Sequence, residues 1–174
     1  DLVRSRGLGD VYKRQELGPI RFATNGSERL RINSHGGFQF NNAELVERCK
    51  IVSGKLSDNT NINLADGMVY YFTTQETTTS TPNIRVDSSN TLNDAMDAGD
   101  VVTVTLITTA AAGGYSANVT IDGNAVTEEW VGGSAPSAGG SDGLDIYVYT
   151  IICTHASNTG DSGFKVIANL TNAT

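Results

Sequence analysis

The sequence predicts an all-β protein: an antiparallel β-sandwich of the jelly-roll kind with one short helix, preceded by a β-hairpin. Three observations lead to this prediction. Thr, Asn, Gly and Ser are abundant whereas Leu, Lys and Glu are scarce, a composition that favours strands and turns over helices. Short runs of β-branched and aromatic residues alternate with turn-forming residues. Eight such runs at close spacing are typical of a sandwich or jelly roll.

The predicted hairpin runs from residue 16 to about residue 42, and its most informative stretch is residues 21–38. Asn25-Gly26 can adopt the positive φ angles that a tight turn needs. In the strand after that turn, Leu30 and Ile32 point to one face while the arginines beside them point to the other. A single hairpin cannot bury its own apolar face. We therefore expect it to pack on neighbouring units or on other chains.

The remaining strands are predicted from runs of β-branched and aromatic residues, each bounded by turn formers. They are residues 46–52, 68–74, 83–86, 101–109, 116–121, 125–131, 144–154 and 164–171. Asp122-Gly123-Asn124 gives the strongest turn signal among them. The inward row of the last strand is predicted to be Phe164, Val166, Ala168 and Leu170.

The strand at 144–154 has two unlike faces. Leu144, Ile146, Val148, Thr150 and Ile152 form the more apolar one, which we expect to face the core together with Val119 and Val166. The opposite face is mixed, so we expect a neighbouring chain to cover it in a homotrimer. This mixed face consists of Asp145, Tyr147, Tyr149, Ile151 and Cys153.

One short helix is predicted at residues 91–98. Thr91 and Asp94 have the spacing of a capping box, and Gly99 can end the helix. Leu92, Ala95 and Met96 share one face of it.

Net charge limits the classes of partner. Residues 5–15 resemble one reading frame of a sequencing adapter, so we expect residues 1–15 to be a non-native, disordered segment of a metagenomic fragment. Without that segment the net charge falls from −7 to −9. Because nucleic acids and anionic membranes attract clustered Lys and Arg, we expect neither as a partner. No apolar run is long enough for membrane insertion.

Candidate catalytic and metal-binding groups are few. Glu128 and Glu129 are adjacent carboxylates, but neighbouring strand residues point to opposite faces, so at most one of them lines a given cleft. The loop at 58–67 offers oxygen ligands but lacks the glutamate of an EF-hand, which leaves Asx turns as the alternative to calcium. Cys49 and Cys153 can be two hydrophobic side chains or a disulfide. We expect no catalytic residue, cofactor or metal.

The aromatic residues suggest a sugar-binding surface as a further hypothesis. Trp130, Tyr115, Tyr147 and Tyr149 could stack on the apolar faces of a host cell-surface glycan. The alternative is that these rings fill the core or a subunit interface.

Two stretches resemble phage proteins. Phe22, the turn at 24–27, Glu28-Arg29-Leu30-Arg31-Ile32 and the turn at 33–37 resemble a unit that recurs along bacteriophage tail fibres. Residues 55–62, 71–77 and 129–136 resemble a C-terminal domain in structural proteins of marine phages. The resemblance implies a virion location, with synthesis in the bacterial cytoplasm, and a division into a fibre-type repeat with linker at 16–45 and a β-sandwich at 46–174.

The function expected from the sequence is therefore non-enzymatic. The chain is predicted to be a fragment of a phage tail fibre or appendage, in which the sandwich caps the fibre or attaches to the host surface. Loops at one end of the sandwich would bind through many weak polar contacts, multiplied by the copy number of the fibre. The alternatives are a carbohydrate-binding module of a secreted bacterial protein and a polysaccharide depolymerase, which needs paired carboxylates in one groove.

Overall fold

The computed structural model describes residues 18–155 and 158–174. The predicted adapter-derived segment at 1–15 lies outside the described residues. Contacts divide the chain into two units, with the boundary between Val46 and Glu47. We refer to residues 18–46 as the N-terminal unit and residues 47–174 as the C-terminal unit.

The N-terminal unit is a three-stranded antiparallel sheet. Its strands, in spatial as well as chain order, are β1 (Ile20–Thr24), β2 (Ser27–Ile32) and β3 (Phe38–Phe40). Asn25 and Gly26 connect β1 to β2 with φ angles of 50° and 74°, as the sequence predicts for a tight turn. Strand β3 lies inside the range predicted as a hairpin but was not predicted as a third strand, since three residues are too short a run to show alternation.

The described residues of the C-terminal unit form ten strands. They are β4 (Cys49–Val52), β5 (Asn61–Asn63), β6 (Val69–Gln75), β7 (Asn83–Arg85), β8 (Val101–Thr109), β9 (Thr120–Ile121), β10 (Asn124–Ala125), β11 (Glu128–Trp130), β12 (Leu144–Cys153) and β13 (Phe164–Ala173). Strands make up 45% of the structure and helical residues 6%, which confirms the predicted all-β class.

The ten strands form two sheets. The six-stranded sheet has the order β11-β13-β12-β8-β6-β4, and the four-stranded sheet has the order β10-β9-β7-β5. Side chains from both sheets belong to one hydrophobic core, including Ile62, Ile84 and Ile121 from the smaller sheet and Leu106 and Tyr149 from the larger one.

The pairing differs from the expected antiparallel jelly roll, because both sheets are mixed. From β4 to β9 the chain alternates between the larger and the smaller sheet. Each strand therefore returns to its own sheet in the same direction, and β4-β6-β8 and β5-β7-β9 pair in parallel. Strand β12, in contrast, is antiparallel to both of its neighbours. A local pattern of alternation carries no information about pairing direction.

The facing of β12 is the reverse of the prediction. Asp145, Tyr147, Tyr149, Ile151 and Cys153 are buried, whereas the face with Val148 is only half-buried and points away from the core. Val119 and Val166 are buried as predicted. The prediction was wrong for β12 because it ranked the faces by apolar content, and the expected contact of the mixed face with a neighbouring chain is wrong with it, since that face is buried in the core. The core instead accepts aromatic rings and a hydrogen-bonded carboxylate.

Helix α1 (Leu92–Ala95) is shorter than the predicted segment at 91–98. Thr91 caps the helix as predicted: its hydroxyl accepts from the Asp94 backbone N–H at 3.0 Å, and it donates to the Asp94 carboxylate at 2.7 Å. The Asp122 carboxylate accepts hydrogen bonds from the backbone N–H groups of Leu92 and Asn93. These contacts fix the helix on the turn that joins β9 to β10.

Candidate functional site

The four aromatic residues of the sugar-binding hypothesis do not form an exposed platform. Tyr147 and Tyr149 are 1% and 0% exposed, and Tyr115 and Trp130 are half-buried. Tyr147 and Tyr149 lie two residues apart on the inward face of β12, with nearly parallel rings and centroids 6.4 Å apart. Two of the four rings are thus closed to a glycan, which corrects this part of the hypothesis.

Burial also sets the ionisation of these two phenols. Burial raises the pKa of Tyr147 to about 12, with a backbone hydrogen bond from Ser116 acting in the opposite direction. Burial raises the pKa of Tyr149 well above its ordinary value. Both side chains are therefore neutral at physiological pH and serve as part of the core.

The carboxylates considered for catalysis lie apart. Glu128 points inward and accepts a hydrogen bond from the Val119 backbone N–H, whereas Glu129 is exposed on the opposite face of β11. Burial raises the pKa of Glu128. Neighbouring residues of a strand point in opposite directions, so these two carboxylates cannot act on one substrate bond.

Two other carboxylates are fully buried. Asp145 accepts from the Gly140 backbone N–H at 3.0 Å and from the Asn172 side-chain amide at 2.6 Å. Glu76 accepts from the backbone N–H groups of Leu56 and Ser57. Because neither carboxylate reaches the surface, both hold loops in place and are closed to a polysaccharide. The sequence showed no signal for these two roles.

The other candidate ligand groups do not converge. In the described part of the chain, no group of three or more His, Cys, Asp or Glu side chains is placed to hold a metal ion. The loop at 58–67 forms β5 and a 3-10 helix at Leu64–Asp66, with Asp66 paired to Lys50 at 3.5 Å. Cys49 is exposed and Cys153 is buried, and both are free thiols, which rules out the disulfide alternative.

A polar cleft of about 220 Å³ opens where the central strands β7 and β9 of the four-stranded sheet end. It is formed by the end of β7, the loop at 87–91 and the turn between β9 and β10. Its lining residues are Asn83, Arg85, Asp87, Ser88, Ser89, Asn90, Thr91, Asp122 and Gly123. None of them was a candidate in the sequence, because the cleft brings together residues that are about forty positions apart.

Existing hydrogen bonds hold the groups of the cleft in fixed positions. The Asp87 carboxylate accepts from the backbone N–H groups of Ser89 and Asn90, and these bonds lower the pKa of Asp87. Arg85 donates from Nε to the Asn63 side chain at 2.8 Å. Among the described residues, the two terminal nitrogens of the Arg85 guanidinium have no hydrogen-bond partner, so they are available to an acceptor group.

The N-terminal sheet has one face that is apolar over two rows of side chains. Phe22, Leu30 and Phe40 form one row across the three strands, and Ile20, Ile32 and Phe38 form the next. Phe22 is 51% exposed, Phe38 69% and Phe40 44%. We call these six residues the fibre face. Exposed aromatic rings in this number on a sheet of fourteen strand residues indicate an interaction surface.

The opposite face of the N-terminal sheet is polar and internally paired. Arg31 donates to the Glu28 carboxylate through Nε at 2.7 Å and through a terminal nitrogen at 3.0 Å. Arg21 lies 3.4 Å from the same carboxylate. The hydrogen bond from Arg31 lowers the pKa of Glu28. Two guanidinium groups therefore share one carboxylate, which leaves a net charge of +1 on this face and suits contact with water.

The six-stranded sheet of the C-terminal unit also has an apolar surface. The apolar side chains on the side facing away from the core are Ile51, Tyr71, Ile107 and Ile146 in one row and, in the next, Val69 and Val148, which Thr105 separates. We call these six residues the outer face. It includes the β12 surface that the sequence had assigned to the core.

Comparisons with known proteins give no relative. No protein-family description, no curated protein and no solved structure matches the chain. Within residues 18–155 and 158–174, no helix has the length and apolar character needed to cross a membrane.

Proposed function

We propose that the chain is a non-enzymatic structural component of a phage virion, part of a tail fibre or appendage. In this proposal the chain self-associates through its N-terminal unit as a homotrimer. The C-terminal unit caps the fibre or attaches to the host surface. The observation that carries the proposal is the fibre face, an apolar surface that the N-terminal sheet itself leaves uncovered.

The size of the fibre face supports self-association. Its three phenylalanines alone expose about 300 Å² of apolar surface, which at roughly 25 cal/mol per Å² is a substantial driving force for burial. A sheet of three short strands without a covered face is also marginally stable in water. Association would therefore stabilise the N-terminal unit itself as well as join the chains.

The arrangement of charge supports a closed assembly of identical sheets. The fibre face carries no charged side chain, while Arg21, Glu28 and Arg31 are paired on the opposite face. Three copies with their fibre faces turned to a common axis would bury the aromatic rings and leave the paired charges in water. The resemblance of residues 22–37 to tail-fibre units favours this arrangement.

The polar cleft is the part of the C-terminal unit best suited to contact a host glycan. Sugar hydroxyl groups are recognised by fixed carboxylate, amide and guanidinium groups, and Arg85, Asp87 and Asn90 are of these types. A single shallow cleft of this kind binds weakly. Three copies on one fibre would raise the overall affinity through multivalency.

The assembly is tested by light scattering on residues 16–174. We expect the wild type to be trimeric and the Phe38→Ser variant to dissociate to monomer at the same concentration. Gln39→Ser, one residue away on the polar face, is the matched control and should remain trimeric. A monomeric wild type at high concentration would contradict the trimer.

The virion assignment is tested by the genes that flank the coding sequence in its source DNA. Capsid, baseplate or terminase genes beside it would support the proposal, and genes for secreted polysaccharide-degrading enzymes would contradict it.

The glycan contact is tested on a bacterial glycan array. Ser88→Trp, which fills the polar cleft, should lose binding, while Ser137→Trp on a different exposed loop should retain it.

A further inference from the structure

We infer that Asn25 is a site of spontaneous covalent modification: its side-chain amide reacts with the backbone nitrogen of Gly26 and is converted to aspartate or isoaspartate. The inference goes beyond the proposed function, because the reaction needs only this chain and water. It starts from the turn between β1 and β2, where the structure leaves both reacting groups exposed.

The reaction is an intramolecular displacement followed by hydrolysis. The Gly26 nitrogen attacks the side-chain carbonyl carbon of Asn25 and gives up its proton to solvent base. A new C–N bond forms, and the amide nitrogen leaves as ammonia with a proton returned from solvent. Water then opens the resulting succinimide ring at either carbonyl group. One opening gives aspartate, and the other gives isoaspartate, whose backbone runs through the former side chain. The proximity of the two groups within one dipeptide supplies the effective concentration.

Both reacting groups of this turn are free of other contacts. Among residues 18–155 and 158–174, neither the Asn25 amide nor the Gly26 backbone N–H has a hydrogen-bond partner. The side-chain hydrogen bond at this turn runs from Arg29 to the Thr24 hydroxyl at 2.9 Å and does not involve Asn25. A β-carbon at Gly26 would meet nothing within 4 Å. The nitrogen is therefore open to the amide and to solvent base.

The ring closes only when the turn opens, and the N-terminal unit allows this opening. Asn25 and Gly26 hold φ angles of 50° and 74° in the tight turn, and the planar ring requires a different backbone conformation at Asn25. The turn lies at the end of the sheet, where Thr24 and Ser27 form the last pair of the ladder. A sheet of three short strands is marginally stable in water, so its turns open without global unfolding.

Asn33 is the natural comparison, because it also precedes a small residue, Ser34. Its side-chain oxygen accepts two backbone N–H groups of the next turn, each at 3.0 Å. These hydrogen bonds must break before the amide can reach the Ser34 nitrogen, and they make the reactive conformation rarer. The structure therefore favours reaction at Asn25 over Asn33.

The aspartate–glycine pairs of the chain can form the same ring, but the fold blocks two of them. In Asp122-Gly123 the carboxylate accepts from helix α1, and the glycine N–H donates to a side-chain oxygen at 2.7 Å. In Asp66-Gly67 the carboxylate lies 3.5 Å from a lysine, and the glycine N–H donates to a backbone carbonyl at 3.0 Å. Asp142-Gly143 is exposed, but a carboxylate is a poorer electrophile than an amide.

Isoaspartate at position 25 disrupts the pairing of β1 with β2. It adds one carbon to the backbone of a two-residue turn, so the pairing of Thr24 with Ser27 is lost. The same register places Phe22 beside Leu30 on the fibre face. Modification therefore weakens the ladder that aligns the fibre face.

The experiment incubates the whole chain at mildly basic pH and measures the amide-to-acid mass change and the isoaspartate content of each peptide in a digest. We expect conversion at Asn25 to be at least about tenfold faster than at Asn33, whose hydrogen bonds hold the amide. Asn25→Gly, which suits the positive φ angle, should abolish the fast conversion. Asn42→Gly is the matched control: Asn42 is exposed with a φ angle of 49° but precedes alanine, so the variant should convert at the wild-type rate.

A parallel assay in urea separates the effect of the fold from that of the sequence. Urea releases the contacts of Asn33, Asp66 and Asp122, so conversion at these sites should rise more than conversion at Asn25. Hydrogen exchange on the isoaspartate fraction should show lost protection in β1 and β2 and unchanged protection in the C-terminal unit.

Conversion at Asn25 no faster than at Asn33 in the folded chain would overturn the inference. Equal acceleration of all these sites by urea would do the same, because the fold would then hold Asn25 as firmly as the others. Both outcomes are independent of the trimer. A monomeric chain that converts rapidly at Asn25 contradicts the proposed assembly and supports this inference.

Discussion

The indole ring of Trp130 meets the phenol ring of Tyr149 edge to face, with ring centroids 6.3 Å apart and ring planes inclined by 75°. The pair lies on the inner side of the six-stranded sheet. The Trp130 Nε1 and the Tyr149 hydroxyl are both buried, and neither has a hydrogen-bond partner among the described residues. Both side chains therefore pack as hydrophobic groups, and burying an unpaired polar atom in each of them costs free energy of folding.

The Tyr149 hydroxyl should contribute nothing favourable to stability. We expect Tyr149→Phe to leave the free energy of unfolding unchanged or to raise it by about 1 kcal/mol, because it removes a buried group without a partner. Tyr147→Phe is the control. It removes the acceptor of the buried Ser116 backbone N–H and should cost about 1–3 kcal/mol. Urea unfolding of both variants checks the prediction, and an equal loss in the two would contradict it.

Gly139 should tolerate no side chain. A Cβ at this position would lie 2.5 Å from the Ala111 carbonyl oxygen and 2.6 Å from the Asp145 carboxylate. Because these atoms belong to backbone and to a buried, hydrogen-bonded side chain, we expect Gly139→Ala to cost about 1–3 kcal/mol or more. Gly113→Ala is the matched control: its nearest contact is 3.9 Å away and its change in stability should be within about 1 kcal/mol. Thermal unfolding distinguishes the two, and a Gly139→Ala variant as stable as wild type would be inconsistent with this close packing.

The ionisation of Glu128 should lower the free energy of unfolding as pH rises. Burial raises its folded-state pKa above the unfolded value of 4.5. The stability linked to this group is thus fully present below pH 4.5 and is lost as pH rises through the folded pKa. We expect Glu128→Gln, which keeps an acceptor for the Val119 N–H, to stabilise the protein at pH 7 and to leave it unchanged at pH 4.

Asp161 is the control, because its contribution to stability depends on pH in the opposite direction. Its pKa is lowered by the hydrogen bond from the Thr127 backbone N–H, so its contribution is present above the ordinary value of 3.8 and is lost on acidification. Asp161→Asn should destabilise the protein at pH 7 and lose this effect in acid. Unfolding curves for both variants across pH provide the measurement; a pH profile of Glu128→Gln that parallels the wild type would refute the assignment.

Asp122 should anchor helix α1 to the β9–β10 turn. Its carboxylate accepts two backbone N–H groups of the helix, and its φ angle of 52° is one that Asp and Asn adopt more readily than Ala. We expect Asp122→Ala to cost about 1–2 kcal/mol and Asp122→Asn to cost less. Asp142→Asn, an exposed change of equal charge, should have no effect on unfolding. Equal stability of the Asp122→Ala and Asp142→Asn variants would contradict an anchoring role.

Local features were readable from the sequence. The strands at 101–109 and 164–171, the turns at Asn25-Gly26 and Asp122-Gly123, and the Thr91 cap all depend on residues a few positions apart. Their signals are strong because turn geometry and side-chain alternation are properties of short segments. The polar cleft had no such signal, since Asn83 and Gly123 become neighbours only through a hydrogen bond of 2.7 Å in the folded chain.

By itself the sequence determined that the protein is built of strands, where most of them lie, and that each has two unlike faces. Only the tertiary structure decided that β4, β6 and β8 run parallel, that Tyr147 and Tyr149 point inward, and that Val148 points outward. Alternation with a period of two distinguishes the faces of a strand but does not say which one meets the core. That choice depends on which distant segments pack together, and it is made by the total area buried and by the hydrogen bonds available to Asp145 and Tyr147.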